Sequence, residues 1–403
     1  MLEIFREFRK KPDYENQYIT QINREPSHFP WGAYENENQA RLGEQSKYIL
    51  SLDGEWSFLL VDSPKNLPPG FYKPDTDISE WGKIKVPGNW ELQGYDKPVY
   101  VNTLYPFKKD AEGQRYLLEI SQKDDYDIYK KYNPPYVPEE NACGIYRRTF
   151  VLPESFDGRR IFINFKGVES AYYLWINGHP VGYSQDSKLP SEFDITDYLV
   201  PGENLITVLV LRFCDGTWLE DQDYFHLSGI YRSVALIAKP ELRIQDFKVD
   251  AEPDGRDGGI VRARCFVNRT KGFADSQIKL SLYDRDGKLL AESTRPVDTT
   301  TPIYGMGSGW RYKGMRPISE SAFFEIKVDN VLPWSFDKPN LYRAVFTLID
   351  GNGRETDFEA CNVGFRKISI ENNVIKLNGK RVVFRGVNRH EHYWLTGRTV
   401  TKE

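Results

Sequence analysis

Three polar clusters interrupt an otherwise strand-like sequence, and each holds residue types that could bind a polyol or a cation. The most acidic runs from Glu220 to Asp223, with three carboxylates in four positions. Carboxylates so close repel one another, so such a loop is either solvated or satisfied by a cation or by hydroxyl groups of a ligand. The aromatic residues Trp218, Tyr224 and Phe225 beside it favour the second alternative without excluding the first.

A second cluster surrounds Asn102, which follows Tyr100 and precedes Pro106. Its amide offers both a donor and an acceptor, which suits sugar hydroxyls. An asparagine among such residues is also a common turn former. Asn102 is therefore a candidate binding residue with a structural alternative.

The third cluster, residues 388–392, contains His390 and His392. Two neutral imidazoles could form a metal pair, but a closed zinc site needs further ligands, and the other histidines are His28, His179 and His226. A polar strand terminus is the better interpretation. At the end of a strand in an α/β barrel, such a cluster would lie on the catalytic face.

Composition excludes some classes of function. The net charge of −4 argues against a nucleic-acid partner, because phosphate binding needs a basic surface. No apolar run reaches the roughly 18–20 residues that cross a bilayer, and the N-terminus lacks an apolar signal core, so we expect a cytoplasmic protein, with a periplasmic one left open. The four cysteines are far apart and indicate neither a zinc site nor a disulfide framework.

Asparagine-glycine and aspartate-glycine pairs between short apolar runs predict β-hairpins, because these residues adopt the positive φ angles of two-residue turns. We expect such turns at four pairs and a further hairpin at Asn372-Asn373. The four pairs are Asp53-Gly54, Asn177-Gly178, Asp286-Gly287 and Asn378-Gly379.

The strand pattern divides the chain into three parts, as its length of 403 residues suggests. Residues 1–240 predict a sandwich or jelly roll, with a charged surface insertion at about 108–132. Residues 241–366 have the size and strand number of an immunoglobulin-like sandwich. Residues 367–403 hold turns and a strand at Val382 to Phe384, and look like the entry to another domain. We expect this tail either to dock on the second domain or to pair with another copy.

Six strings in order along the chain resemble the β-galactosidases of glycoside hydrolase family 2. They begin at Val86-Pro-Gly-Asn-Trp, Gly167-Val-Glu-Ser-Ala-Tyr, Trp175-Ile-Asn-Gly-His-Pro-Val-Gly-Tyr, Gln185-Asp-Ser-Lys-Leu-Pro-Ser-Glu-Phe-Asp, Glu220-Asp-Gln-Asp with Ser228-Gly-Ile-Tyr-Arg, and Arg385-Gly-Val-Asn-Arg-His-Glu-His.

The resemblance implies an all-β chain: a jelly-roll sugar-binding domain, an immunoglobulin-like β-sandwich and the first strand region of a TIM barrel. It also implies retaining hydrolysis of terminal β-galactosides by two glutamates about 5–5.5 Å apart. Those glutamates and the family's Mg²⁺ ligands have no counterparts among these residues, so we expect the chain alone to be inactive. A homo-oligomeric parent protein is also implied.

The resemblance assigns roles to the three candidates. Asn102 matches an asparagine that contacts substrate, and Asp223 matches an acid that binds galactose hydroxyls and a sodium ion. His390 matches a histidine that stabilises the transition state. The alternatives are a β-glucuronidase or β-mannosidase of the same family, or a carbohydrate-binding protein without enzymatic activity.

Overall fold

The computed structural model describes residues 12–101, 105–106, 134–268, 275–298 and 321–400. Asn102 and the predicted insertion at about 108–132 lie outside the described residues. Strands dominate the described part, and the two α-helices are short: α1 (Glu37–Leu42) and α2 (Thr217–Glu220). No helix in the described ranges is long and apolar enough to cross a membrane.

The first fifteen strands fall before residue 240 and form two main antiparallel sheets and two small ribbons. In chain order they are β1 (Gln21–Ile22), β2 (Ile49–Ser51), β3 (Gly54–Val61), β4 (Gly82–Val86), β5 (Val99–Val101), β6 (Cys143–Val151), β7 (Arg160–Phe165), β8 (Val168–Glu169), β9 (Ala171–Ile176), β10 (His179–Ser184), β11 (Ser191–Asp194), β12 (Glu203–Leu211), β13 (Tyr224–His226), β14 (Gly229–Ile230) and β15 (Val234–Lys239).

The larger sheet has the strand order β1-β10-β9-β12-β6-β3-β4, and the sheet that faces it has the order β11-β7-β15-β2. Alternate residues of β12 explain the packing. Ile206, Val208 and Val210 enter the core between the sheets, whereas Leu209 and Leu211 face a second apolar cluster on the outer side. Because both faces of β12 are covered, its sequence is a continuous apolar run rather than an alternating one.

A second sandwich follows, with the three-stranded sheet β16-β17-β20 packed on the four-stranded sheet β19-β18-β21-β22. Its seven described strands have the immunoglobulin-like arrangement that the sequence predicts. They are β16 (Ile244–Pro253), β17 (Gly259–Val267), β18 (Gln277–Tyr283), β19 (Leu289–Pro296), β20 (Ser321–Val328), β21 (Tyr342–Ile349) and β22 (Glu355–Val363).

A buried ionic cluster joins the two sandwiches. The Lys239 ammonium lies 2.7 Å from Asp357 and 2.5 Å from Glu359, and its side chain is fully buried. Glu359 also accepts hydrogen bonds from the backbone N–H groups of Gly32 and Ala33, at 2.6 and 3.0 Å. The N-terminal segment is thereby fixed between the sandwiches, and every charge in the cluster has a partner.

Most of the predicted turns are present. Asn177-Gly178 joins β9 to β10, and both residues have positive φ, at 51° and 79°. Asp286-Gly287 turns between β18 and β19, and Asn378-Gly379 has the two positive φ values of a hairpin. The prediction of a hairpin at Asp53-Gly54 is wrong. β2 pairs with β15 in one sheet and β3 pairs with β4 and β6 in the other, so the chain crosses between sheets there.

The last part of the chain begins with a three-stranded meander and continues as irregular backbone. The strands are β23 (Ile368–Glu371), β24 (Val374–Leu377) and β25 (Lys380–Arg381), joined by the predicted turns.

The strand expected at Val382 to Phe384 is absent from this part of the structure. Regular structure ends at Arg381, and Val383 and Phe384 are 67% and 72% exposed. Val382 N–H still donates to the Ile375 carbonyl of β24, but no strand in the described ranges pairs with Val383 or Phe384. An extended segment without such a partner has no ladder to join.

The tail docks in a different way from the one expected. The meander contacts the second sandwich, where Asn378 Nδ2 donates to the Trp334 carbonyl at 3.0 Å. Residues 393–399 instead dock on the first sandwich, where Arg398 N–H donates to Asn89 Oδ1 at 3.0 Å. The expected docking on the second domain therefore holds for the meander alone.

Candidate functional site

Asp223 lies just after α2 and immediately before β13, on an exposed loop. The ribbon of β5 and β13 pairs Tyr100 with Phe225 and so carries the Tyr100 phenol to the acid. Tyr100 Oη donates a 2.6 Å hydrogen bond to Asp223 Oδ1, and this bond raises the pKa of the phenol. The second carboxylate oxygen has no donor among the described residues and faces solvent.

The other two acids of the cluster are half-buried beside protein groups. Glu220 accepts hydrogen bonds from the backbone N–H of Ser187, at 3.1 Å, and from the Ser187 hydroxyl. Asp221 Oδ1 lies 3.0 Å from His226 Nε2. Burial raises the pKa of Asp221 to about 6 and lowers that of His226 to about 4. Of the three acids in this cluster, Asp223 is the exposed one, and it is the one we consider for binding a ligand.

His390 is exposed and belongs to the irregular segment 382–392, yet it has a defined neighbour. Its ring stacks on Tyr224 with a centroid distance of 5.3 Å and an interplanar angle of 26°. His392 stacks on Phe225 in the same way, at 5.5 Å and 20°. Because Tyr224 directly follows Asp223, two of the residues proposed from the sequence lie at one end of β13.

The third proposed residue, Asn102, cannot be placed relative to them, since it lies outside the described residues. Val101, which precedes it, pairs with Tyr224 across the ribbon.

A buried polar network lies behind the Tyr224 ring, and its centre is Glu169 on β8. The Glu169 carboxylate contacts Lys188 Nζ at 3.3 Å and the Tyr224 hydroxyl at 3.3 Å, and it forms an ion pair with Arg398. Burial lowers the pKa of Lys188 to about 8 and that of Arg398 to about 10. Three chain segments thus share one carboxylate next to the proposed site.

Sequence reasoning missed Tyr100, Glu169 and Arg398 as site residues. Glu169 stands inside a string that carries the family resemblance, and an acid within the buried strand β8 is itself a signal of a buried partner. Tyr100 belongs to the polar cluster around Asn102. Arg398 gives no local signal, because its partner is distant in the sequence.

The residues present offer few metal ligands. Within the described ranges, no group of three or more His, Cys, Asp or Glu side chains could hold a metal ion. His390 and His392 stack on two different rings, so their imidazoles do not point toward a common metal ion. For sodium, Asp223 supplies one carboxylate, whereas hard cations are bound through several oxygen ligands.

Three family models match successive parts of the chain. They are the sugar binding domain of glycosyl hydrolases family 2, at residues 49–116 and 109–240, a further domain of that family at 242–366, and its TIM barrel domain at 368–403. These matches agree with the order expected from the sequence, in which two β-sandwiches are followed by the first part of a TIM barrel.

Curated relatives match nearly the whole chain. The β-galactosidases of Erwinia tasmaniensis and Psychromonas ingrahamii are each 38% identical, over 94% and 99% of this chain. The chain spans about a third of their length, 34% and 35%.

A β-glucuronidase structure from Bifidobacterium dentium, complexed with coumarin-3-O-glucuronide, has a TM-score of 0.64 at 19% identity and covers 88% of this chain and 54% of its own. The β-glucuronidase of Ruminococcus gnavus in complex with D-glucaro-d-lactam has a TM-score of 0.62 at 20% identity, with 89% and 52% covered. At these identities the likeness shows the fold. By the three matched domains, the chain belongs to glycosyl hydrolases family 2.

Proposed function

We propose that this chain forms the substrate-contacting N-terminal part of a retaining β-galactosidase. The observation that carries the proposal is the meeting of three distant segments at β13: Tyr100 bonds Asp223, and His390 stacks on the neighbouring Tyr224. The relatives that match nearly the whole chain at 38% identity are β-galactosidases.

Each residue has a distinct role in the proposal. The free oxygen of Asp223 accepts hydrogen bonds from galactose hydroxyls, and Tyr100 fixes the orientation of the carboxylate by holding the other oxygen. Hydrogen bonds to a charged acceptor are worth about 1.5–3 kcal/mol each. His390 donates toward the charge that develops around the sugar ring in the transition state, an electrostatic role. Asn102 contributes a further contact to the substrate.

The cation is part of the proposal in a limited form. Asp223 is one ligand of a bound Na⁺, with the remaining oxygen ligands outside the described residues. When bound, the ion neutralises the carboxylate and orients the hydroxyls that share it.

The alternatives differ in the sugar or in the reaction. A β-glucuronidase would need a cationic partner for the sugar carboxylate. The cations beside Tyr224, Lys188 and Arg398, are already paired with Glu169. This observation favours a neutral sugar, and it does not separate galactose from mannose. A binding protein without catalysis remains the second candidate, because the same residues would hold a sugar in either case. Homo-oligomeric assembly and a cytoplasmic location complete the proposal, to be tested by mass photometry and cell fractionation.

The test is the kinetics of the full-length product of the gene with nitrophenyl β-galactoside, β-glucuronide and β-mannoside. We expect the galactoside to be preferred, and Asp223→Asn to lower kcat/KM by about 10- to 100-fold, the equivalent of one charged hydrogen bond. The 403 residues alone are expected to bind the galactoside without hydrolysing it. Preference for the glucuronide or mannoside, or an unchanged kcat/KM in Asp223→Asn, would contradict the proposal.

A further inference from the structure

The segment that carries His390 has little to hold it in place along its own length. From residue 383 to 392 the backbone forms no hydrogen bond with any other part of the chain that the structure describes. The last upstream bond is donated by Val382 N–H to the Ile375 carbonyl. Among the described residues, the segment is therefore held by its two ends and by the ring stacks of His390 on Tyr224 and of His392 on Phe225.

The downstream end is a tight turn that fits closely against the first sandwich. Gly397 N–H donates to the Tyr393 carbonyl at 2.7 Å, which closes the turn. Arg398 N–H donates to Asn89 Oδ1 at 3.0 Å, and the Thr399 hydroxyl donates to the Tyr231 carbonyl at 3.1 Å. These bonds fix the chain within nine residues of His390.

The Arg398 side chain extends this attachment into the interior. Its guanidinium is 11% exposed and forms an ion pair with Glu169, which is 8% exposed. The guanidinium carbon also lies 4.7 Å from the ring centre of Tyr231 and 5.2 Å from that of Tyr224. Tyr224 is the ring on which His390 stacks, so Arg398 and His390 contact the same side chain.

We propose that the Arg398–Glu169 pair is a clamp that positions His390 in the sugar site. Arg398 touches no sugar and acts through Tyr224 and through the turn, which makes it a positioning residue. The effect of the clamp on sugar binding rests on the proposed function, whereas its effect on the position of the His390 ring does not.

The rest of the network explains why arginine is suited to this position. Glu169 already has one cation, because Lys188 Nζ lies 3.3 Å from it. A planar guanidinium can pair with the carboxylate and lie over an aromatic ring at the same time, which a lysine ammonium does less well. With Arg398 removed, Lys188 keeps the Glu169 charge paired, so the surrounding strands should remain folded.

The test uses the chain with ¹³C-labelled histidine and follows the ring signals by NMR. In the unaltered chain we expect nuclear Overhauser contacts between the His390 and Tyr224 rings and an upfield ring-current shift of His390. Arg398→Met and Glu169→Gln should both abolish the contacts and the shift, while the signal of His28, which stacks on Trp31, stays in place as evidence of the fold. Arg398→Lys, which keeps the charge, should retain them in part.

The matched control is Arg389→Met, in the same segment, whose side chain is exposed and pairs with Glu391. It should leave the His390 contacts intact. Persistence of those contacts in Arg398→Met, or in Glu169→Gln where the arginine variant fails to fold, would overturn the clamp.

A galactoside titration separates the clamp from the proposed function. If His390 stacks on Tyr224 in only about a tenth of the molecules of the Arg398→Met variant, the dissociation constant for the galactoside should rise about tenfold. Absence of any galactoside-dependent change in the unaltered chain would refute the proposed function, and the histidine contacts would still decide the clamp.

Discussion

At the scale of single residues, one acid of a cluster of three is available for a ligand. Glu220 accepts hydrogen bonds from Ser187, and Asp221 is half-buried beside His226. Asp223 is exposed, and Tyr100 donates to only one of its two carboxylate oxygens. The sequence predicts Asp223 and His390 through the family strings. It does not predict Tyr100 as the partner of Asp223, since this contact depends on how β5 pairs with β13.

The buried carboxyl of Glu91 gives a prediction about pH. Glu91 is 5% exposed and accepts two hydrogen bonds from Ser228 N–H, each of 3.0 Å. Burial raises its pKa from 4.5 to about 7. Between these values the folded chain binds more protons than the unfolded chain, so this group lowers the stability as the pH rises.

Glu91→Gln removes that titration. From pH 5 to pH 8, the free energy of unfolding of the variant should therefore increase by about 3 kcal/mol relative to that of the unaltered chain, which loses stability over this range. Urea unfolding at several pH values measures the difference. Glu44→Gln, at an exposed position, serves as the control and should show no such trend; a trend-free Glu91→Gln would argue against a raised pKa.

At the scale of elements, the site depends on a two-stranded ribbon and on an irregular segment. Turn chemistry predicts the hairpins at Asn177-Gly178 and Asn378-Gly379, where local φ preferences decide the structure. The same chemistry fails at Asp53-Gly54, because β2 and β3 find their partners in different sheets. The docking of residues 393–399 could not be predicted from the sequence either, because it depends on contacts with Glu169 and Asn89, which are distant in the sequence.

The close fit of Gly397 provides the prediction at this scale. It has φ +62°, and an added Cβ would lie 2.6 Å from a Leu227 methyl carbon and 2.7 Å from one of Leu92. Gly397→Ala should therefore release the turn, because the strained φ and the overlap act together. We expect faster hydrogen exchange at the backbone amides of residues 397 and 398 and loss of the ring stack between His390 and Tyr224.

Gly386→Ala is the matched control, since an added Cβ there meets nothing within 4 Å. Gly386 lies in the irregular segment 382–392, before the turn. The substitution should leave hydrogen exchange at the amide of residue 398 unchanged. Equal exchange in the two variants would show that the turn is not held by this contact.

At the scale of the whole molecule, the two sandwiches form one support for the site. The sequence predicts both sandwiches from strand number and turn spacing, but the ionic cluster between them joins residues more than a hundred positions apart. Lys239, Asp357 and Glu359 each look ordinary within their own strands. Only the assembled fold shows that they share a buried site.

Lys239→Met tests this junction. Removal of one partner from a buried ionic cluster leaves uncompensated charge and is expected to cost about 3–5 kcal/mol of unfolding free energy. Lys248→Met is the comparison, because Lys248 pairs with Asp250 at the surface, with the two side chains 74% and 60% exposed, and should cost no more than about 1 kcal/mol. Denaturant unfolding of both variants measures the contrast, and equal losses would refute the cluster's role.

The central claim is that Asp223, held by Tyr100 and flanked by His390, binds a galactoside. Its most direct test is a titration of the chain with methyl β-galactoside, read from the His390 ring signal. We expect saturable changes at His390, a dissociation constant raised about 10- to 100-fold by Asp223→Asn, and a smaller rise in Tyr100→Phe. A His390 signal that does not respond, or responds equally in the unaltered chain and in Asp223→Asn, would contradict the account.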